Sequence, residues 1–429
     1  MALPKAKEDA TAALLGTLQM PDCGGWCRAA REDALSRLTA MGLPHRRDEY
    51  WRFTDPASLI VPEVPKAATL GADPEPMFDQ IERLRIVFVD GVFSPEQSDD
   101  LTLAGLEIER LSEAMTSDIH WARDIYGKLE VEAQSPVARP LAALNTAFAS
   151  DGIVIRVTGK VEKPVSLVYL HERDDSQAIL HHIVKVEAEA SITILENGPA
   201  AARFNKAMEV DVADRGEFRH IRAQGRDHER RAATHLFGRL GQESVFKSFT
   251  LTVNGVMTRN ECVLNLTGDD AVAHVAGAAV GDGDFHHDDT VFITHGGETC
   301  ESRQVFKKVL KNGAVGVFQG KILVKDGAQK TDGYQISQAL LLDETSQFLA
   351  KPELEIYADD VACSHGSTTG AIDEEALFYL RSRGVPDAEA RDLLILAFLA
   401  EAIDEIDDTR IAEDLIGRLE GWLARRKDD

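Results

Sequence analysis

From about residue 146 to residue 370 the chain reads as short runs rich in Val, Ile, Phe and Thr, separated by Gly, Asp and Asn. Long helical periodicity is nearly absent there. "IVIRV", "VSLVYL", "SITILE", "FTLTV", "AVGVFQG" and "KILV" are examples. In "FTLTV", Phe249, Leu251 and Val253 alternate with polar neighbours, the period-two mark of a half-buried strand. Roughly two hundred residues of such strands exceed what one flat sheet holds. They must close into a sandwich, a barrel or a solenoid such as a β-helix. No strict repeat selects among these.

The flanks differ. Residues 1 to about 145 read as mostly helical and irregular. Ala34, Leu35, Leu38 and Met41 share one helical face, and Gly42 and Pro44 stop that helix. "VPEVPKAATLGADPEP" reads as a linker. "LRIVFVDGVFS" reads as a hairpin turning at Asp90-Gly91. Residues 371–429 return to helix. "DEEALFYLRSRG" ends on Gly384, a natural C′ residue, with Pro386 beyond it and Asp387 placed for an N-cap. Leu393, Leu394, Ala397, Phe398 and Ile403 form one expected apolar stripe; Ile411, Leu415, Ile416, Leu419 and Leu423 form another. Such short helices make little core of their own. They must pack on the β region or offer a face to a partner.

The bulk properties exclude several classes. A formal net charge of −25 disfavours nucleic-acid binding through a basic face. The acid is spread along the chain and reads as a solvated surface. No run approaches a membrane span, and the N-terminus lacks a signal peptide's apolar region. A soluble cytoplasmic protein is the expectation. Five sparse cysteines argue against a disulfide framework. Cys23 and Cys27 form a lone C-x3-C without the second pair that a structural zinc site needs.

Two clusters could carry chemistry. In "DDVACSHGSTTG", Cys363 and His365 stand two apart after the alternating "LEIYADDVAC". If the strand continues, both point to one face. A thiolate beside an imidazole is half a site for iron, zinc or an iron–sulfur cluster. Further ligands would have to come from elsewhere, including a second chain. Asp359 and Asp360, if close, would raise the thiol pKa. The alternative is a packed cysteine beside a turn histidine. In "DGDFHHDDTVFITHGGETC", His286, His287, Asp288, Asp289 and His295 are conceivable ligands. Alternation lets at most half of them converge, and no zinc signature fits. Solvent-facing polar residues are the simpler reading. No P-loop, dinucleotide fingerprint or nucleophile elbow is present.

The stretch "KPELEIYADDVACSHGSTTGAIDEEALFYLRSRG" resembles the C-terminal signature of the SufB/SufD family of iron–sulfur cluster assembly proteins. "CESRQVFKKVL", "GVFQGKILV" and "AQKTDGYQ" are similar to the family's core, and the likeness runs through most of residues 140–400. "GLPHRRDEYWRFTDPASL" and "LNTAFASDGIVIRV" resemble the SufD branch. SufB typically carries a cysteine soon after a Leu-Glu pair, to receive sulfur. Here Leu195-Glu196 is followed by Asn197-Gly198-Pro199, so SufD is the better match.

The resemblance implies a mainly β fold: a right-handed parallel β-helix over 146–370, between an N-terminal helical region (1–145) and a small C-terminal helical domain (371–429). It implies a non-enzymatic scaffold subunit of a cluster-building complex. A SufB-like paralogue would pair through the β-helix, and a SufC-like ABC ATPase would dock on residues 371–429. His365 and Cys363 would serve cluster assembly or iron delivery at a site shared with the partner chain. No cofactor is expected to bind the isolated chain tightly; iron or a cluster would be held transiently in the complex. Flavin is left open, since in this family it is associated mainly with SufB-containing complexes. A self-sufficient SufB-like homodimer is the alternative, with homodimer formation by the isolated chain also open. A carbohydrate-active β-helix enzyme is a third reading. An aromatic content of 6% and the lack of an evident carboxylate pair count against it.

Overall fold

The computed structural model describes residues 3–69, 76–225 and 227–425. The alternating runs form a ten-stranded and a nine-stranded sheet, and successive strands switch between the two. Thus Gln177–Val186, Arg203–Val212 and Arg231–Leu240 are neighbours in one sheet. Ser191–Asn197, Glu217–Gln224 and Val245–Val253 are neighbours in the other. These pairings are parallel and in register, so the chain winds as a β-helix. A sandwich or barrel of this size would join its strands by antiparallel hairpins. Among the described strands only two pairs are antiparallel, and both cap the first coil. One is the hairpin Leu84–Val89/Val92–Phe93, and the other is Leu106–Arg110 on Ile153–Val157. Asp90 and Gly91 turn that hairpin with φ of 49° and 81°, as a two-residue turn with the twist of its strands requires.

The repeat that is missing from the residues is present in the backbone. Glu189, Arg215, Glu243, Asp270, Thr299 and Lys330 all have φ between 53° and 63°. Each donates its N–H one coil onward, to the carbonyls of Asp214, Gln242, Asp269, Glu298, Gln329 and Asp360 respectively. This corner needs a left-handed residue and a free N–H but no particular side chain, so sequence periodicity is lost. Its last member assigns Asp360 to a corner. The strand expected to run from Leu354 through Cys363 is therefore broken. Gln347–Ile356 ends in the nine-stranded sheet, and Ala362–Gly370 begins in the ten-stranded one.

Both outer faces are covered. Helices Gly25–Met41 and Pro140–Phe148 belong to an N-terminal layer on the nine-stranded sheet. There Trp26 and Tyr126 cluster with Phe237, Val263 and Phe292, while Leu38 and Trp51 cluster with Ile179, Ala233 and Met257. The expected linker runs without helix or strand as far as residue 69, pinned by Ala67 N–H to Asp174 O at 2.9 Å; its residues 70–75 lie outside the described residues. On the ten-stranded sheet lie helices Glu374–Ser382, Asp387–Ile403 and Thr409–Arg425. Leu399, Leu415 and Leu419 share a core with Ile221, Phe249 and Leu251. The acidic turn between the last two helices adds ion pairs: Asp407 binds Lys247 at 2.6 Å and Arg219 at 3.2 Å.

Two helix-level expectations need correction. The buried face of Asp387–Ile403 is Ala390, Ile395, Leu399, Ala402 and Ile403. Leu394 and Phe398 pack beside it, while Leu393 and Ala397 are exposed. A nearly all-apolar segment leaves the buried face for the packing partner to choose. Asp387 is the first helical residue rather than the cap, and it binds Arg391 at 2.8 Å. Asp373 caps the preceding helix, accepting from Glu375 N and Ala376 N. Gly384 follows that helix at φ 88°, as expected.

The interior also corrects the picture of a wholly solvated acidic surface. Phe204, Met208, Val210, Ile192 and Ile194 make the expected apolar rows. Charges stand in the same rows. Glu196, 0% exposed, takes Lys206 Nζ at 2.6 and 2.7 Å, with Arg222 at 3.5 Å. Burial alone would raise that carboxyl; Lys206, His220 and Arg222 hold it well below its ordinary range.

Candidate functional site at the open end of the β-helix

The last coil ends the solenoid. Gln347–Ile356 and Ala362–Gly370 are the terminal strands of their sheets, and no described strand pairs with their outer edges. Both are far more exposed than the strands beneath them. An unpaired strand edge presents free N–H and C=O groups to another chain. Ile356 and Tyr357 lie beside this edge, 40% and 60% exposed.

Cys363, His365 and Ser367 pair in register with Gly333, Gln335 and Ser337 on the strand beneath. Gly333, Gln335 and Ser337 are all buried. Paired residues of parallel strands share a face, so the thiol and imidazole rows continue the inner rows of the helix to its open end. The two residues therefore share a face although the strand begins only at Ala362. Ser337 and Ser367 hydroxyls bond at 2.9 Å along the same face. Cys363 is half-buried against Ile322, Leu354 and Val361, whereas His365 is exposed. Burial, with a contribution from Asp332, pushes the Cys363 thiol up; the acidic neighbour is thus Asp332 rather than Asp359 or Asp360. A thiol held protonated is a metal ligand only after losing that proton.

Two glycines of the quoted motifs make room for this site. A Cβ on Gly333 would lie 3.1 Å from Cys363 Sγ. A Cβ on Gly320, across the interior, would collide with the Gln335 amide. The N-terminal layer reaches the same coil. Tyr50 Oη donates to Glu353 at 2.5 Å, and Lys351 lies 3.9 Å over the Tyr50 ring while binding Glu49 at 2.6 Å. "DEYW" thus clamps the terminal strand Gln347–Ile356. Trp51 lies under the Arg259 guanidinium at 4.2 Å.

The second cluster neither converges on one point nor faces solvent: His287, Asp288, Asp289 and His295 are buried and His286 is half-buried. His286–His295 is one strand, and its residues split between two faces. His287 and Asp289 point inward, where Lys308 Nζ binds Asp289 at 2.6 Å and His287 Nδ1 at 2.9 Å. His295 bonds Ser302 at 2.8 Å. Asp288 points outward to Arg259 and Thr54, at 2.5 and 2.6 Å, and His286 meets the same Thr54 at 3.0 Å. Each group serves packing between layers. Among the described residues, no group of three or more His, Cys, Asp or Glu gathers to hold a metal. Cys27 is buried with its thiol on Gly24 O, and all five cysteines are free. At the open end one imidazole and one thiol share a face.

Sequence reasoning missed the interior charges and the glutamine pair Gln304–Gln335. The signal was present: in "RFNKAMEVDV", Lys206 occupies the same alternating row as Phe204, Met208 and Val210.

Comparison with known proteins gives the family. Residues 169–398 match the SufBD core domain of the SUF system for FeS cluster assembly, and residues 22–167 match the SufBD N-terminal region. The iron–sulfur cluster assembly protein SufD of Escherichia coli is 27% identical over 399 residues, 90% of each chain. SufD of Bacillus subtilis is 30% identical over 291 residues, covering 65% of this chain and 66% of its own. A SufBD family protein of Synechocystis is 28% identical over 406 residues, covering 88% and 86%. No described helix is long and apolar enough to cross a membrane. A chain that winds as a parallel β-helix and is matched by both family domains belongs to the SufBD family of iron–sulfur cluster assembly proteins and is SufD-like within it.

Proposed function

We propose that this chain is a non-enzymatic scaffold subunit of a SUF assembly complex. It pairs with a SufB-like paralogue through the open end of its β-helix and presents His365 and Cys363 to iron or a nascent cluster held between the two chains. The observation that carries this reading is the position of the pair, on an exposed coil whose outer edges no described strand pairs with. A neutral imidazole on an exposed strand is competent to ligate. A half-buried thiol is the weaker donor until deprotonated. The iron is cargo, so the isolated chain needs no tightly bound cofactor.

The C-terminal helices are the proposed dock for a SufC-like ATPase. One face is occupied by the ten-stranded sheet, while Phe378 and Tyr379 remain 73% and 55% exposed and Leu393 is 45% exposed. Removing residues 371–429 would uncover Ile221, Phe249 and Leu251. Surface substitutions are therefore the cleaner test.

The deciding experiment is complementation of a strain that depends on this pathway. His365→Ala should preserve folding and co-purification with the SufB-like and SufC-like subunits while failing to support growth. Cys363→Ala should have a smaller effect if the thiol chiefly packs. Full growth with His365→Ala sinks the ligand reading. Failed growth with a broken complex makes His365 an interface residue instead.

A further inference from the structure

Beneath His365 the interior holds a two-amide chain. Gln335 Nε2 donates to Gln304 Oε1 at 2.8 Å, and both side chains are 0% exposed. Gln335 Oε1 and Gln304 Nε2 are buried and without a partner. Native interiors seldom leave such an acceptor unpaired without a reason. The inward bond uses Gln335 as a donor, so its oxygen is left for another group. The next residue of the same row is His365, paired in register with Gln335 on a strand about 4.8 Å away. Gly320 clears the space in which this amide lies.

We infer that Gln335 is a positioning residue for His365: no bond joins the two in this structure, where the ring is exposed, and a turn of the ring toward the interior lets Oε1 accept the N–H of one ring nitrogen, leaving the other nitrogen's lone pair toward the open end. The inference rests on the proposed role of His365. In a neutral imidazole one nitrogen carries the proton and the other the lone pair. A fixed acceptor chooses between them, as the outer partners of ligand histidines do. Gln304 anchors the amide from behind, so the pair acts as a short rigid strut from the closed interior to the exposed ring.

The test reads the tautomer of His365 in the full chain, by nitrogen-15 histidine NMR at about pH 8.5, well above the ordinary imidazole pKa. The His365 signals are those lost in His365→Ala. The intact chain should show one dominant tautomer. Gln335→Met keeps the bulk and removes the acceptor; it should shift the tautomer ratio at least about threefold toward that of a free imidazole. Gln335→Glu, which keeps an oxygen in place, should restore the original ratio. If Gln335→Met fails to fold, Gln304→Met takes its place, because it frees the amide from its anchor and should mix the tautomers likewise. An unchanged ratio in whichever of the two folds overturns the inference. Growth with His365→Ala would remove the functional role of the ring but not this result, which is read on the chain itself.

Discussion

Replacing Lys308 with Met removes the ammonium that holds Asp289 inside the β-helix. Their side chains are 1% and 5% exposed, and Nζ lies 2.6 Å from Asp289 Oδ2 and 2.9 Å from His287 Nδ1. Methionine fills a similar space, so the dominant loss is electrostatic. Breaking a buried pair by removing one partner costs about 3–5 kcal/mol. Asp289 limits that cost by taking up a proton. Burial already holds its carboxyl above the ordinary 3.8, although Lys308 opposes the shift. Without Lys308 it should rise further, each unit being worth about 1.4 kcal/mol. The folded chain then binds a proton that the unfolded chain has released, so the protonated form's stability is full below about pH 3.8 and is lost as pH rises through the folded value. Lys308→Met should therefore lie nearest the unmodified chain in acid and fall behind toward neutrality. Adding Asp289→Asn should recover most of the loss. Unfolding midpoints of the original, Lys308→Met and doubly substituted chains, followed by circular dichroism from pH 4 to pH 8 (about one-unit steps), test this without assuming two-state behaviour. A Lys308→Met midpoint equal to the original at neutral pH, or no rescue by Asp289→Asn, would refute a closed ion pair in a dry interior.

Other outcomes follow from the same fold. Gly320→Ala should cost about 1–3 kcal/mol by pressing on the Gln335 amide, and less in a Gln335→Ala background, as a double-mutant cycle would show. Glu209→Gln should cost about 1.5–3 kcal/mol in unfolding free energy, because Glu209 accepts from Gly127 N and Glu130 N at 2.6 and 2.8 Å and ties the N-terminal layer to its sheet. Burial alone would raise the Glu261 carboxyl, but Arg259, with His235 and Arg139, holds it well below its ordinary 4.5. Its contribution is thus complete above about pH 4.5 and lost as pH falls through the lower folded value; Glu261→Gln should flatten that acid-side decline. Phe378→Asp should leave the melting curve unchanged and abolish co-purification of the ATPase, whereas Leu399→Ala should cost about 2–5 kcal/mol in stability.

What the sequence reveals here is what depends on nearest neighbours along the chain. Period-two alternation identifies strands such as Phe249–Val253, and a spacing of two puts Cys363 and His365 on one face. Whether strands stack as a sandwich or a solenoid depends on partners near thirty residues away: 31 between Gln304 and Gln335, 30 between Ser337 and Ser367. The corner that enforces this stacking accepts Glu, Arg, Asp, Thr or Lys alike. For the same reason Asp359 and Asp360 read as strand continuation rather than as a corner. The segment "LLILAFLA" has apolar residues all round, so only the underlying sheet decides that Ile395 and Leu399 are buried while Leu393 is not. Charges such as Lys308 and Asp289 default to a solvated reading because the opposing wall that pairs them is invisible in a linear string.

Among the described strands the terminal coil has a neighbour on one side only. In a linear array of stacked units each interior unit is stabilised by two interfaces and an end unit by one, so opening should begin at the end. Amide hydrogen exchange in the isolated chain should therefore be fastest in Ala362–Gly370 and slow progressively through Asp332–Leu341 and Glu301–Lys311. The "DEYW" clamp opposes this fraying on the nine-stranded side but not on the strand that carries His365. A partner that adds the missing neighbour would convert the coil from the first unit to open into an interior one. Protection gained at residues 362–370 on complex formation would then measure docking and the ordering of the ring as a single event.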